Sequence, residues 1–302
     1  MTQSPPVARR RGRTARGAVA LVAIVAIGAT AACRQAGDAA DDSDGDPSAA
    51  VVDDGTLAPP TVDASAYAVF DAERSTMLVT TNADARLPVG SLMKLLNAVV
   101  AYDAGQQDRQ VVAPGGLAGG DGESVIGIGA GQVVSRSSLI RAMLKVSAND
   151  AARLLAMDIA GSEDAYAALM NDAASSLGLA DTHAVNATGL DAAGQFSSAR
   201  DLITLATDLS ANAEFRRTVM EPTARFDGRT IPNTNDLLGT YPGADGIKTG
   251  HTSDAGYCLL ASATRDGRRI IVAVLGAPTD DGRDRAAATL LDWAFTVAPP
   301  RG

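Results

Sequence analysis

Lysine is nearly missing from this 302-residue chain: of its 26 basic residues, only Lys94, Lys145 and Lys248 are not arginine. Arginine does not release its proton inside a protein, whereas a buried lysine amine can be neutral near physiological pH and act as a base. The three retained lysines are therefore the first candidates for chemistry. Histidine is equally scarce, with His183 and His251 alone. That leaves no histidine-rich metal site, and no metal or cofactor is expected. Cysteine is limited to Cys33 and Cys258. If the first is lipidated or lost with a leader, the second has no partner in the chain, which excludes a disulfide framework. Cys258, within Tyr257-Cys258-Leu259-Leu260, reads as a small buried hydrophobe, with a catalytic thiol as the alternative. There is no internal repeat. The apolar run over residues 17–32 is shorter than the roughly 20 residues a membrane-crossing helix needs.

That run follows Arg9, Arg10, Arg11, Arg13 and Arg16, with no acid before it, and ends in Ala29-Thr30-Ala31-Ala32-Cys33. The layout is that of an export signal over residues 1–32. Cys33, directly after small residues, resembles the acylated cysteine of a bacterial lipobox, although Thr30 stands where such boxes usually have Leu. Plain cleavage after Ala31 and an uncleaved anchor are the alternatives. Losing residues 1–32, with five arginines and no acid, takes the formal charge from −9 to −14, which argues against nucleic acid as a partner. Residues 33–62 hold seven aspartates among Ala, Gly and Pro. They read as a flexible acidic tether that cannot bury enough apolar surface to order itself. A single catalytic domain is expected over residues 63–302.

Within it, Tyr67-Ala68-Val69-Phe70 and Met77-Leu78-Val79, separated by a charged break, predict two short paired strands. From Leu92 to about Leu209, apolar residues recur at helical spacing, as in Leu139, Ala142, Met143 and Val146, and most of this stretch is expected to be helical. Two further strands are expected at Tyr257 to Ala263 and Ile270 to Leu275, joined across Asp266-Gly267, and a final helix from Asp284 to Phe295. Strands at both ends with helices between give a mixed α/β architecture, in which the two ends share one sheet and the helices form a second lobe. The site is expected in the cleft between them.

Three short motifs carry the chemistry. In Ser91-Leu92-Met93-Lys94, at the opening of a helical run, the i, i+3 spacing puts hydroxyl and amine on one face, where they can exchange a proton. The bland alternative is an N-cap serine beside a solvated lysine. Ser147-Ala148-Asn149 follows 56 residues after Ser91 and offers a hydroxyl and an amide, or merely a helix cap. Lys248-Thr249-Gly250, just before His251-Thr252, sets a cation, a hydroxyl and a glycine on a strand that a substrate backbone could approach closely. A chance surface triplet is the alternative there.

In order and spacing, the three motifs resemble the serine D-alanyl-D-alanine carboxypeptidases, the low-molecular-mass penicillin-binding proteins. The resemblance runs from about Ala66 to Phe295. It takes in Asn186-Ala187-Thr188-Gly189-Leu190-Asp191, Ser198-Ala199-Arg200-Asp201-Leu202 and Asp245-Gly246-Ile247-Lys248-Thr249-Gly250-His251-Thr252. It implies the D,D-peptidase and β-lactamase fold, an antiparallel sheet flanked by helices with a mainly helical second lobe. By the same resemblance Ser91 is the nucleophile and Lys94 its neutral base. Ser147 relays a proton to the departing D-alanine, and Asn149 hydrogen-bonds the substrate backbone. Lys248 and Thr249 bind the terminal carboxylate on a strand continued by Gly250, and the backbone N–H groups of Ser91 and His251 form the oxyanion hole. His251 then need not titrate and His183 reads as a structural loop residue, so no Ser-His-Asp triad is available. Lys145 has no role in the resemblance.

Implied partners are the peptidoglycan stem peptide, β-lactam antibiotics, and a membrane through an N-terminal lipid or anchor. The chain is expected to act as a monomer at the outer face of the bacterial cytoplasmic membrane, or in secreted form if it is cleaved without lipidation. Two departures from the family pattern stand out. Gly90 replaces the alanine usually found before the nucleophile. The second, β-rich domain of many relatives also has no room after Gly302, so membrane attachment is expected to depend on the N-terminus. A serine β-lactamase would need a glutamate to position water, and Glu163, Glu214 and Glu221 are not in a Glu-x-x-Leu-Asn setting. A D,D-endopeptidase would use the same triplets, and a non-catalytic wall-binding lipoprotein would keep the fold alone.

Overall fold

Apolar side chains on both faces of the run from Ala66 produce β1 (Ala66–Asp71), which turns back into β2 (Thr76–Thr81). The computed structural model describes residues 58–297 other than Ala118 and Asp121. The signal expected over 1–32, Cys33 and most of the tether expected over 33–62 lie outside the described residues; the tether's last residue, Val62, packs on the sheet. A 3-10 turn (Gly90–Met93) leads into α1 (Lys94–Asp103). Two three-residue strands, β3 (Gln110–Val112) and β4 (Val133–Ser135), then pair across a long glycine-rich segment. They interrupt the stretch expected to be helical, and strands so short carry no readable alternation.

Four helices follow: α2 (Arg136–Lys145), α3 (Asn149–Ala160), α4 (Glu163–Ser176) and α5 (Ala199–Leu209). Ser135, Ser162 and Ser198 cap α2, α4 and α5 with their side chains, each accepting from the N–H three residues on. After α6 (Ala213–Met220) comes the small hairpin β5 (Thr223–Phe226) and β6 (Arg229–Pro232). The chain ends with β7 (Ala244–Thr252), β8 (Gly256–Arg265), β9 (Arg268–Ala277) and α7 (Asp280–Val297).

The main sheet is antiparallel in the order β2-β1-β9-β8-β7, so the first and last strands meet at its centre, with Ala66 opposite Leu275 and Asp71 opposite Ile270. Ile270, Val272 and Val274 of β9 face α7 and pack with Ala287, Leu290, Leu291 and Ala294. Ile271, Ala273 and Leu275 face the other way, into the core shared with the helices. Burial on both faces explains why β9 reads as an unbroken apolar run rather than an alternating one. One fully buried ion pair locks the layers together. Arg268 Nε donates to Asp71 Oδ2 at 2.9 Å, its Nη1 donates to the Ala294 carbonyl at 3.0 Å, and Asp71 Oδ1 accepts from the N–H groups of Glu73 and Arg74. β7 is left at the sheet edge and carries Lys248, Thr249 and Gly250.

Candidate active site

Ser91 and Lys94 meet as the spacing predicts, with Lys94 Nζ 2.9 Å from Ser91 Oγ. The geometry that joins them is a 3-10 turn rather than the first turn of an α-helix. With three residues per turn, side chains at i and i+3 eclipse, which sets the amine directly beside the hydroxyl. Ser91 makes no capping bond, and Lys94 is 0 % exposed among Leu92, Met93, Leu95 and Leu96, so the cap-and-solvated-lysine alternative fails. Burial pushes the Lys94 amine well below its ordinary pKa; the charges of Lys248 and Arg153 push it further, against a smaller opposing effect of Glu123. Nζ also donates to the Thr188 carbonyl at 2.5 Å. That carbonyl is held in turn, because Asn186 Oδ1 accepts from the N–H groups of Thr188 and Gly189.

Two glycines set the turn against the sheet. Gly90 has φ +53°, a left-handed value at which glycine is unstrained. It is buried against His251, whose amide nitrogen would lie 3.0 Å from an added Cβ. At Gly250 an added Cβ would fall 2.5 Å from the Val89 carbonyl and 3.1 Å from the Leu92 nitrogen. The sequence suggested that Gly250 clears space for a substrate backbone. Instead, the space is taken by the turn that carries Ser91.

Ser147 links α2 to α3 with φ +62°, a strained value for a serine. Its Oγ is buried without a hydrogen-bond partner, and so is Asn149 Oδ1. Neither side chain caps α3, whose N-cap position is Ala148. Asp150 does the local tying instead, accepting from the N–H groups of Ile126, Gly127 and Ile128. Asn149 Nδ2 donates to Glu123 Oε2 at 2.8 Å. The Arg153 guanidinium, which donates to the same carboxylate, is the main reason its pKa falls to about 2.

Ser91, Ser147, Asn149, Thr249, Gly250 and His251 line one cleft of about 430 Å³, joined by Glu123, Ser124, Asp191, Thr234 and Arg283. Lys94 and Lys248 are not in the lining; both are buried. Lys248 Nζ donates to the Thr249 carbonyl at 2.8 Å, and burial, reinforced by the Arg283 charge, pushes its pKa down to about 7. His251 is exposed and stacks on Tyr257 at 4.2 Å between ring centres.

Sequence reasoning missed Glu123 and Arg283. Glu123 lies upstream of Ser147, outside the three motifs, and its only signal in the sequence is an acid set among the glycines of residues 115–131. Arg283, on α7, had none.

Other expectations resolve away from the cleft. Glu163, Glu214 and Glu221 pair with Arg153, Arg141 and Lys145. Cys258 is fully buried, its thiol pushed up to about 11 by burial, so it fills core space as expected. His183 is tied into its loop through backbone bonds to Phe196 and a ring contact to the Gly194 carbonyl at 2.9 Å. Lys145, fully buried, meets Glu221 Oε2 at 2.5 Å and the Thr223 carbonyl at 2.7 Å.

The chain is similar to known proteins over most of its length. The chain is 38% identical over 265 residues to the D-alanyl-D-alanine carboxypeptidase DacA of Escherichia coli K12, covering 82% of this chain and 66% of that protein. It thus spans just under two thirds of that relative's length. The crystal structure of the D-alanyl-D-alanine carboxypeptidase from Mycobacterium tuberculosis H37Rv matches with a TM-score of 0.76 and 33% identity, over 82% of this chain and 96% of that one. Penicillin-binding protein D2 from Listeria monocytogenes, solved in its ampicillin-bound form, matches with a TM-score of 0.72 and 34% identity, over 79% of this chain and 100% of that one. The family described as D-alanyl-D-alanine carboxypeptidase matches residues 53–279, a span that takes in β1 to β9 and α1 to α6. On that extent, the chain belongs to the D-alanyl-D-alanine carboxypeptidase family.

Proposed function

We propose that the protein is a penicillin-sensitive serine D-alanyl-D-alanine carboxypeptidase that removes the terminal D-alanine from peptidoglycan stem peptides. The observation that carries this reading is the 2.9 Å approach of a fully buried lysine amine to a serine hydroxyl at the cleft wall. A lysine whose ammonium form is disfavoured can take the Ser91 proton as Oγ bonds to the carbonyl carbon of the penultimate D-alanine. The negative charge that develops on the carbonyl oxygen is met by the N–H groups of Ser91 and His251. As the C–N bond breaks, the proton that Lys94 took from Ser91 is returned to the leaving amine through the Ser147 hydroxyl, which gives up one proton and receives the other; its unpartnered, buried Oγ suits a group whose partner arrives with the substrate. Water then attacks the acyl-serine and releases the shortened peptide.

The free carboxylate of the terminal D-alanine is held by Thr249 and Arg283, which line the cleft, with Thr234 supporting Thr249 and the Lys248 charge close beneath. This requirement for a free C-terminus makes the enzyme a carboxypeptidase. A β-lactam opens on Ser91 by the same steps, but its leaving nitrogen stays attached, so the adduct persists. In this reading residues 1–32 direct export and the chain works as a monomer outside the cytoplasmic membrane, attached through lipid on Cys33 or an uncleaved anchor. Among the described residues no helix is long and apolar enough to cross a membrane.

The test is release of D-alanine from a stem pentapeptide, together with labelling by a fluorescent penicillin. Wild type should do both, and Ser91→Ala neither. Labelling retained in Ser91→Ala would sink the assignment, and rapid loss of label with continued penicillin opening would make the protein a β-lactamase.

A further inference from the structure

Of the three lysines, Lys145 alone has no task in the reaction steps, yet it is completely buried at the C-terminal end of α2. Both of its polar ends grip the same part of the chain. Its Nζ donates to Glu221 Oε2 at 2.5 Å and to the Thr223 carbonyl at 2.7 Å, where β5 begins. Its own carbonyl accepts from the Thr234 N–H at 3.0 Å, two residues past the end of β6. Between these grips the two legs of the β5–β6 hairpin are laced together. The Asn233 N–H donates to the Pro222 carbonyl at 2.8 Å, and Asn233 Nδ2 donates to the carbonyls of Val219 and Glu221. An ammonium carries three protons on a flexible stem, so it can hold a carboxylate and a carbonyl at once from inside the core. The neck held in this way ends at Thr234, whose Oγ1 lies 2.6 Å from Thr249 Oγ1 in the cleft wall.

We propose that Lys145 is a positioning residue for the carboxylate end of the cleft: it clamps the neck of the β5–β6 hairpin so that Thr234 stays against Thr249, and thereby sets how strongly the enzyme prefers ligands with a free carboxylate. The proposal rests on the carboxypeptidase reading, in which Thr249 holds that carboxylate. Without the amine, the Thr223 carbonyl loses its donor and only the Thr234 leg remains tied to α2. The neck can then shift, and the 2.6 Å approach of the two hydroxyls is the contact it carries with it.

The test compares acylation of Ser91 by benzylpenicillin and by its methyl ester, followed by intact-protein mass spectrometry. The ester keeps the β-lactam and loses the carboxylate. The ratio of the two rates within each variant cancels any general loss of activity, including one passed to Ser147 two residues on. Wild type should favour the free acid by about tenfold or more, the worth of hydrogen bonds to a charged group. Lys145→Met should lower that preference by about two- to tenfold, with its rate on the ester near that of wild type. Asn233→Ala, which loosens the same neck from the other leg, should act in the same sense. Glu221→Gln keeps the amine on the Thr223 carbonyl and should retain the preference, even though it strips a buried ammonium of its counter-charge and is expected to be the less stable variant. In a Thr234→Val background, Lys145→Met should take away nothing further. An unchanged preference in both Lys145→Met and Asn233→Ala overturns the proposal. So does a Glu221→Gln variant that loses the preference as fully as Lys145→Met, or a full additional loss on top of Thr234→Val. Wild type without any preference for the acid would instead overturn the carboxylate subsite of the carboxypeptidase reading, and this proposal with it.

Discussion

Thr234 Oγ1 and Thr249 Oγ1 lie 2.6 Å apart in the cleft wall, and Thr234 Oγ1 is also 3.3 Å from the Lys145 carbonyl, to which it can donate. When Thr234 donates to that carbonyl, Thr249 must donate to Thr234 and has no proton left for a ligand. When a carboxylate binds Thr249, the Thr234 proton turns toward Thr249 instead. Thr234→Val removes this exchange. KM for a D-alanyl-D-alanine peptide should rise about two- to tenfold with kcat nearly unchanged, the worth of one hydrogen bond. Steady-state kinetics on the pentapeptide decide it, and an equal fall in kcat would contradict a binding role.

Lys94→Arg keeps a cation at the base position but one that does not give up its proton. Acylation by benzylpenicillin should fall at least about a hundredfold, the lower range of a lost general base. A rate near that of wild type would remove Lys94 from its role.

The two buried lysines give a pH profile with a defined sense. Lys94 must be neutral, so kcat/KM rises as pH climbs through its lowered pKa; Lys248, at about 7, helps hold a carboxylate only while charged, so peptide turnover falls above that pH. The Lys248 charge itself depresses Lys94. Lys248→Met should therefore move the acid limb to higher pH and remove the alkaline limb. An acid limb that stays in place would show that the two groups do not sense each other.

Lys145 and Glu221 differ in exposure, and the difference predicts an asymmetry. The lysine side chain is 0% exposed and the glutamate 48%. Lys145→Met leaves a carboxylate that water can solvate and should cost about 1–2 kcal/mol. Glu221→Gln leaves a buried ammonium without its counter-charge and should cost more, about 2–3 kcal/mol. Urea unfolding of the two variants would measure it, and the reverse order would mean that Thr223 rather than Glu221 is the important partner.

Gly250→Ala would drive a methyl group into the Val89 carbonyl. The Ser91 turn should be displaced from β7, and acylation should fall by about tenfold or more while the fold survives. Penicillin labelling measured alongside circular dichroism separates the two outcomes.

The parts of this site that could be read from the sequence are those where spacing itself is the signal. Ser91 and Lys94 stand three apart, and strands β1, β8 and β9 are apolar runs bounded by turns. Contacts between distant segments have no such signature. The Glu123 bond to Asn149 and the entry of Arg283 into the cleft depend on how a glycine-rich segment and α7 come to rest. The 3-10 turn at Ser91 is indistinguishable in sequence from the start of an α-helix, because both place residues three apart on one side. At Gly250 the sequence suggests close approach by a substrate backbone, whereas the approaching atoms belong to the protein's own Val89 and Leu92.

The pairing of β1 with β9 joins segments about 200 residues apart, a long loop to close. Ser91 and Lys94 are synthesised early, but the strand that backs them comes only near the end of the chain. On the proposed carboxypeptidase reading, a half-made or truncated molecule would thus carry the Ser91 hydroxyl and the Lys94 amine without the strand that holds a peptide beside them. Hydrolytic competence would be withheld until the whole domain has closed.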